Sequence, residues 1–273
     1  MSSNPSPGLQ NVKYIVAVAS GKGGVGKSTT AVNLALALAA QGKTVGLLDA
    51  DIYGPSQAKM LGLKAGSRPD IVDQKFMKPV PALGIQSMSM GYLATESTPM
   101  VWRGPMAGGA LIQMMEQTLW GDLDVLIVDM PPGTGDIQLT LAQKAPVSGA
   151  VIVTTPQDIA LLDARKGIEM FRKVNIPVLG IIENMAVHVC SNCGHAEHIF
   201  GEGGGNRVAD EYDTQLLGSL PLDRRIREET DNGMPTVAKA PASEIAAMYG
   251  DIAAKLLVAL ANVSNTGPEI EID

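Results

Sequence analysis

The most specific chemical pattern in the chain is the octapeptide from Gly21 to Ser28, GKGGVGKS, which fits G-x-x-x-x-G-K-[ST]. In this pattern the glycines let backbone N–H groups close around phosphate oxygens, the lysine neutralises the β- and γ-phosphates, and the hydroxyl binds Mg²⁺. The last two roles fall here to Lys27 and Ser28. The sequence therefore predicts a nucleotide site, with candidate contacts at Gly21, Gly23, Gly24, Val25, Gly26, Lys27, Ser28 and Thr29.

Three aspartates at the ends of strand-like runs could complete this site. Asp49 and Asp51 lie two residues apart at the end of one apolar run, and Asp129 ends another. Parallel α/β sheets bind ligands at the carboxyl ends of their strands, and residues two apart on a strand face the same way. Both carboxylates of the first pair could therefore point at one cation or water. Beyond Asp129, Gly133 could offer a backbone N–H to the γ-phosphate.

A second candidate site lies in the stretch 187–195, VHVCSNCGH. It contains Cys190 and Cys193, the only two cysteines of the chain, and all three histidines fall within residues 188–198. Thiolates bind zinc and iron–sulfur clusters, and imidazoles bind zinc. Four interpretations are open here: an iron–sulfur site, a zinc site, a dithiol redox pair and two inert cysteines. For zinc within one chain, the spacing C-x₂-C-x-H-x₂-H is too compressed for the usual finger.

The elements that must position these residues alternate along the chain. Near-continuous apolar runs separated by helical patterns indicate an α/β fold, doubly wound, with a mainly parallel sheet and helices on both faces. The predicted strands are 14–20, 44–50, 123–129, 149–155, 177–184 and 216–221, and helical patterns cover 27–42, 105–120 and 243–263. We expect a flexible lead-in over 1–13, one domain over 14–262 with the C-x-x-C loop at 190–193, and an acidic tail over 263–273.

Composition limits the class of protein. With 273 residues and 45% hydrophobic content, one core could bury about three quarters of the unfolded surface without disulfides. Two cysteines and no leader-like start favour a cytoplasmic protein. No apolar run reaches the roughly 18 residues of a membrane span, so we expect no membrane partner. The formal charge of −7 makes nucleic acid an improbable partner.

A second lysine in the phosphate loop, Lys22, makes the octapeptide resemble the deviant Walker A motif of the family that contains MinD, ParA and the nitrogenase iron protein. In that family this lysine reaches the nucleotide of the facing subunit, so the resemblance implies an ATP-dependent homodimer. Over residues 12–255 the chain looks like the Mrp/ApbC (NBP-type) iron–sulfur cluster carrier ATPases. The stretches that carry this likeness are SGKGGVGKST, LLDADIYGPS, VWRGPM, VDMPPGTGDIQLTLAQ, VTTPQDIALLDARKGIEMF, GIIENM and CSNCGH.

The resemblance implies roles for residues of the nucleotide site. It implies an Mg²⁺-dependent ATPase, slow because no arginine finger is evident in the chain. The residues that would carry hydrolysis are Lys22, Lys27, Asp51 and Asp129, with Asp51 orienting the attacking water. Those that would surround Mg²⁺ are Ser28, Asp49 and Asp129. Those that match adenine-holding positions are Asn184, Pro221 and Asp223, although Asp223 could equally cap a helix.

For the cysteines the resemblance implies a [4Fe–4S] cluster shared between subunits. Two thiolates cannot complete the usual four-sulfur shell, but Cys190 and Cys193 of two chains can meet on a two-fold axis. The implied function is a carrier that receives a cluster from a donor and transfers it to apo-proteins. The alternative is a ParA/MinD-like switch with structural zinc on the same cysteines. Some bacterial members carry a small domain before the ATPase, and no such domain is expected in the short lead-in here.

Overall fold

The computed structural model describes residues 6–64, 66–92 and 104–265. Its strands are β1 Val12–Ala19, β2 Val45–Asp49, β3 Ile71–Val72, β4 Phe76–Met77, β5 Val80–Ala82, β6 Ile85–Ser89, β7 Leu123–Asp129, β8 Gly149–Thr154, β9 Val178–Glu183, β10 His188–Val189, β11 Ala196–Glu197 and β12 Leu216–Ser219. Its helices are α1 Lys27–Ala40, α2 Gln57–Met60, α3 Gly104–Gln117, α4 Asp136–Lys144, α5 Asp158–Lys173, α6 Gly204–Glu211, α7 Arg224–Asp231, α8 Thr236–Lys239 and α9 Glu244–Asn265.

The central sheet has eight strands in the order β12-β9-β8-β1-β7-β2-β6-β5. Neighbouring strands are parallel except at one edge, where β5 runs antiparallel to β6. The register places Asp49 of β2 directly opposite Asp129 of β7. Two of the predicted carboxylates therefore end neighbouring strands at the same edge of the sheet.

Two hydrophobic cores cover the sheet, one on each face. Alternate residues of β1 divide between them, with Ile15 and Ala17 in one core and Val16 and Val18 in the other. Helices α3, α4, α5 and α6 pack on the first face, and α1, α7, α8 and α9 pack on the second. Because both faces are buried, the strands read as continuous apolar runs. The predicted fold class is confirmed. Among the described residues, no helix is long and apolar enough to span a bilayer.

The ends of the domain differ from the predicted boundaries. The first strand begins at Val12, Leu9 is buried, and the Gly8 N–H donates to the Glu116 carbonyl at 3.1 Å. Residues 6–13 therefore pack against the domain and are not a free lead-in, because an apolar side chain there reaches the core. At the other end α9 continues to Asn265. Residues 1–5, 266–273 and part of the VWRGPM stretch lie outside the described residues.

Candidate functional site

The phosphate loop connects β1 to α1 and needs glycine at two positions. Gly24 and Gly26 have φ values of 82° and 83°, in the left-handed region that favours glycine. A Cβ on Gly26 would lie 2.1 Å from Asn184 Nδ2, so side chains other than hydrogen do not fit there. The loop borders a cavity of about 230 Å³ that is lined by residues 22–24 and 26–29 together with Asp51. The structure thus brings six of the eight contacts predicted within the loop to one cavity, namely Gly23, Gly24, Gly26, Lys27, Ser28 and Thr29.

A buried ion pair lies beneath this cavity. The Lys27 ammonium contacts the Asp129 carboxylate and donates to the Ser28 hydroxyl at 3.1 Å. Asp129 is fully buried, and its second oxygen accepts from Gln57 Nε2 at 2.8 Å. The neighbouring ammonium offsets the cost of burying this carboxylate. The predicted lysine, hydroxyl and carboxylate therefore form one connected cluster.

Gln57 is a member of this cluster that the sequence did not indicate. It lies at the start of α2, is fully buried, and also donates to the Ser28 carbonyl at 3.0 Å. Its Oε1 accepts no hydrogen bond from the described residues. No local motif marks the residue, because its partners lie 29 and 72 positions away along the chain.

Asp49 and Asp51 occupy different environments, contrary to the expectation that both face one cation. Asp49 is fully buried and accepts the N–H groups of Ser56 and Gln57 and the hydroxyl of Ser89, at 2.9 to 3.0 Å. Burial, and next the charge of Asp129, raise the pKa of Asp49 to about 7. Its oxygens hold the segment between β2 and α2 in place.

Asp51 instead borders the phosphate cavity. Its side chain is half-buried and accepts the Gly54 N–H at 3.2 Å. The two aspartates diverge because β2 ends at Asp49, so the alternation of a strand does not extend to Asp51. Asp51 therefore borders the cavity, whereas Asp49 is enclosed by protein donors, and the catalytic role of Asp51 stays a prediction.

The N–H of Gly133, a predicted donor to the γ-phosphate, has a partner within the protein, and its role toward nucleotide stays a prediction. It donates to the Ser20 carbonyl at 2.9 Å, and Gly133 has a φ of 95°. The left-handed conformation turns the amide back toward the end of β1. The bond joins the loop after β7 to the start of the phosphate loop.

The three adenine candidates lie at the carboxyl ends of β9 and β12. Asn184 Nδ2 donates to the Val25 carbonyl at 2.9 Å, so this side chain supports the phosphate loop directly. Asp223 is the N-cap of α7: it accepts the Arg225 N–H at 2.7 Å, and hydrogen bonds from Arg225 lower its pKa. Pro221 is half-buried. Capping by Asp223 is thus observed, and the adenine role of all three stays a prediction.

The two cysteines lie in the turn of a short hairpin formed by β10 and β11. The Cys190 N–H donates to the His195 carbonyl and the Gly194 N–H to the Cys190 carbonyl, both at 2.9 Å. The backbone N–H groups of Asn192 and Cys193 donate to the Cys190 sulfur and lower the pKa of its thiol. Cys193 is exposed, and neither thiol is in a disulfide. The turn therefore favours a thiolate at Cys190, the form that binds metals.

The histidines do not complete a metal site within the described part of the chain. His188 Nδ1 lies 3.1 Å from the Leu222 carbonyl and His198 Nδ1 lies 2.8 Å from the Ala186 carbonyl. A carbonyl only accepts, so both Nδ1 atoms carry a proton. No group of three or more His, Cys, Asp or Glu side chains there could hold a metal ion. The cysteines and histidines of the hairpin are therefore not arranged as a Cys₂His₂ zinc site in this structure.

The sheet, the phosphate loop and the lysine–aspartate cluster together define a P-loop nucleotide-binding protein. The family model described as "ParA: NUBPL iron-transfer P-loop NTPase" matches residues 11–257. The chain therefore belongs to this family of iron-transfer P-loop NTPases, and the resemblance that the sequence motifs indicated is confirmed at the level of the family.

Named relatives agree with this assignment. An iron–sulfur cluster carrier protein of Pseudomonas fragi is 68% identical over 247 residues, which are 90% of this chain and 86% of the relative. The iron–sulfur cluster carrier protein of Escherichia coli K12 is 61% identical over 254 residues, which are 93% of this chain and 69% of the relative. The mouse iron–sulfur cluster transfer protein NUBPL is 53% identical over 91% of this chain and 78% of its own.

Solved structures show the same architecture. A nucleotide-binding protein from Archaeoglobus fulgidus, in complex with ADP, has a TM-score of 0.73 at 39% identity over 83% of this chain and 88% of that one. The cell-division ATPase MinD of Pyrococcus furiosus has a TM-score of 0.67 at 22% identity over 90% and 99% of the two chains, a likeness that concerns the fold alone.

Proposed function

We propose that this chain is an ATP-hydrolysing carrier that holds a [4Fe–4S] cluster between two subunits and transfers it to apo-proteins. The proposal rests on one observation: two free cysteines, Cys190 and Cys193, lie together on an exposed hairpin of a chain that also has a complete P-loop. Two cysteines are half of the ligands that a four-iron cluster needs. The names of the relatives, iron–sulfur cluster carrier and transfer proteins, support the identity of the cargo.

The hairpin suits a site that is shared between two copies. Cys190 already receives backbone N–H donors at its sulfur, an arrangement that stabilises thiolate ligands in iron–sulfur proteins. Two thiols per chain are half of a four-sulfur shell, and a two-fold axis through an exposed turn supplies the other half. The exposure of Cys193 leaves the turn open to a second copy and to an acceptor protein.

The nucleotide cluster supplies what phosphoryl transfer requires. The Ser28 hydroxyl and the Asp129 carboxylate offer the hard oxygen ligands that Mg²⁺ prefers. Both groups contact the Lys27 ammonium. The metal ion would neutralise phosphate charge when bound. Lys27 would stabilise the developing charge, and Asp51 at the cavity would orient the attacking water. In the proposed dimer, Lys22 would reach the nucleotide of the other subunit.

Turnover is expected to be slow. The described residues that line the phosphate cavity include lysines but no arginine, so none of these residues acts as an arginine finger. Slow hydrolysis is consistent with a protein that uses nucleotide state to control binding and release of cargo.

Anaerobic reconstitution with iron and sulfide tests the proposal. We expect about two irons and two sulfides per monomer, which corresponds to one four-iron cluster shared by two chains. The double variant Cys190→Ser/Cys193→Ser should lose the iron and keep its ATPase activity. Zinc at about half an equivalent per monomer with no retained iron would contradict the carrier and favour a P-loop switch with structural zinc.

A further inference from the structure

The segment that carries the cysteines leaves the sheet at the end of β9 and returns at α6, and both of its ends meet at Glu183. This carboxylate is 3% exposed, and its Oε1 accepts the Gly205 N–H at 2.7 Å in the first turn of α6. A Cβ on Gly205 would lie 2.9 Å from the Glu183 Cβ, so the two backbones approach closely. The base of the cysteine segment is therefore held at one buried point.

This base also contacts the phosphate loop. Asn184, the next residue, donates through Nδ2 to the Val25 carbonyl at 2.9 Å, and its own N–H donates to the Thr154 carbonyl at 2.7 Å. Met185 follows with a φ of 58°, and its methyl group would lie 3.8 Å from a Cβ on Gly26. A movement of the phosphate loop at Val25 or Gly26 would thus displace the first residues of the cysteine segment.

His198 connects the far side of the hairpin to the same residues. It follows β11 and donates through Nδ1 to the Ala186 carbonyl at 2.8 Å. Ala186 is buried, and its N–H donates to the Leu220 carbonyl at 2.9 Å, which anchors it to the end of β12. Residues 184–186 therefore connect the phosphate loop, which Asn184 contacts, to the imidazole of His198, which contacts Ala186. His188 and the Leu222 carbonyl support the first strand of the hairpin.

We propose that His198 is a positioning residue that couples the cysteine hairpin to the phosphate loop through residues 184–186. Nucleotide bound at the loop then changes the accessibility of Cys190 and Cys193, and occupation of the cysteines changes nucleotide affinity in return. The coupling concerns the two sites of the proposed function, and it is a property of the protein that exists with or without cargo.

The test measures thiol alkylation in cluster-free protein, so that it does not depend on the cargo. All measurements use a parent protein that carries Lys22→Ala and is verified as monomeric by sedimentation. Any effect of the nucleotide on the cysteines then arises within one chain and not from dimer formation. Rates of iodoacetamide labelling are compared with and without Mg²⁺ and a non-hydrolysable ATP analogue. The variants are His198→Ala, His198→Asn, whose amide can still donate to the Ala186 carbonyl, and His195→Ala, which alters an exposed histidine of the same hairpin.

In the parent and in His195→Ala, we expect the analogue to change the labelling rate about fivefold or more. In His198→Ala the analogue should no longer change the labelling rate, although the variant binds nucleotide with unaltered affinity. In His198→Asn the effect of the analogue on the labelling rate should return. An unchanged rate in the parent, a full response in His198→Ala, or equal losses in both histidine variants would each overturn the proposal. A failure to retain iron in reconstitution would remove the carrier function but not this coupling.

A second measurement covers the case in which His198→Ala does not fold. The amides of Cys190 and Gly194 are hydrogen-bonded within the hairpin, so their hydrogen exchange reports its opening. In the monomeric Lys22→Ala chain their protection should change when the analogue binds. Identical protection with and without the analogue would overturn the proposal.

Discussion

The phosphate loop and the cysteine hairpin differ in how completely one chain builds them. At the phosphate loop the polar groups are buried and paired with one another, as in the cluster of Lys27, Asp129 and Gln57. At the hairpin the backbone is hydrogen-bonded, but the two thiols point to no third ligand among the described residues. The nucleotide site is therefore built from buried, paired groups of one chain, whereas in the proposed function the cysteine site takes its remaining ligands from a second copy.

The largest difference between the two regions should appear in stability. Asp129→Ala leaves the Lys27 ammonium, 6% exposed, without its carboxylate, and breaking a buried pair in this way costs about 3–5 kcal/mol. Cys193→Ser changes an exposed thiol, and such surface substitutions stay within about 0.5 kcal/mol. Urea denaturation of the two variants checks the contrast. Similar free energies of unfolding would show that the buried cluster does not stabilise the fold.

The second difference concerns the pH dependence of stability and compares a fully buried carboxylate, Asp49, with a half-buried one, Asp124. The pKa of Asp49 is raised by burial to about 7 from an ordinary value of 3.8. The folded protein therefore holds this proton more tightly than the unfolded chain does. Its stabilising effect is complete below 3.8 and is lost as the pH rises through about 7. Relative to Asp49→Asn, the wild type should gain stability on acidification across that window.

Asp124 provides the control of opposite sign. It is only half-buried, and hydrogen bonds, first from the Thr44 N–H, lower its pKa below 3.8. Its contribution is present above that value and is lost as the pH falls through the lowered pKa. Relative to Asp124→Asn, the wild type should therefore lose stability only in strong acid. Denaturation curves at several pH values measure both differences, and the same sign for the two variants would contradict the assignment.

The parts of the site that the sequence predicted are those that depend on local spacing. The phosphate loop follows from one octapeptide, and Asp129 from the end of one apolar run. Gln57 was missed because its contacts come from distant residues. The strand β6, IQSMS, was missed because it carries buried serines in place of a continuous apolar run.

The orientation of individual groups was the least predictable feature. Asp51 departs from Asp49 because the strand ends between them, and the Gly133 amide is turned to Ser20 by a left-handed φ. Strands of two residues, such as those of the cysteine hairpin, are too short for a periodic pattern to be visible in the sequence. These features depend on tertiary contacts and backbone angles that residue types do not determine.

The smallest predicted difference is between the effects on stability of replacing one glycine in each region, Gly26 in the phosphate loop and Gly194 in the cysteine hairpin, by alanine. Gly26 and Gly194 both have a left-handed φ, 83° and 73°, so alanine at either position costs about 1–2 kcal/mol through the backbone alone. At Gly194 a Cβ meets nothing within 4 Å, whereas at Gly26 it would displace the Asn184 amide from the Val25 carbonyl. Gly26→Ala should therefore cost about 1 kcal/mol more, the net value of one hydrogen bond.

Denaturation of the two alanine variants measures that difference, and Asn184→Ala identifies its origin. When Asn184 is already alanine, the hydrogen bond is absent, so Gly26→Ala and Gly194→Ala should then cost nearly the same. A difference that persists in this background would mean that the phosphate loop resists alanine for a reason other than its contact with Asn184. In that case the hydrogen bond from Asn184 to the Val25 carbonyl would not account for the greater sensitivity of the phosphate loop to alanine.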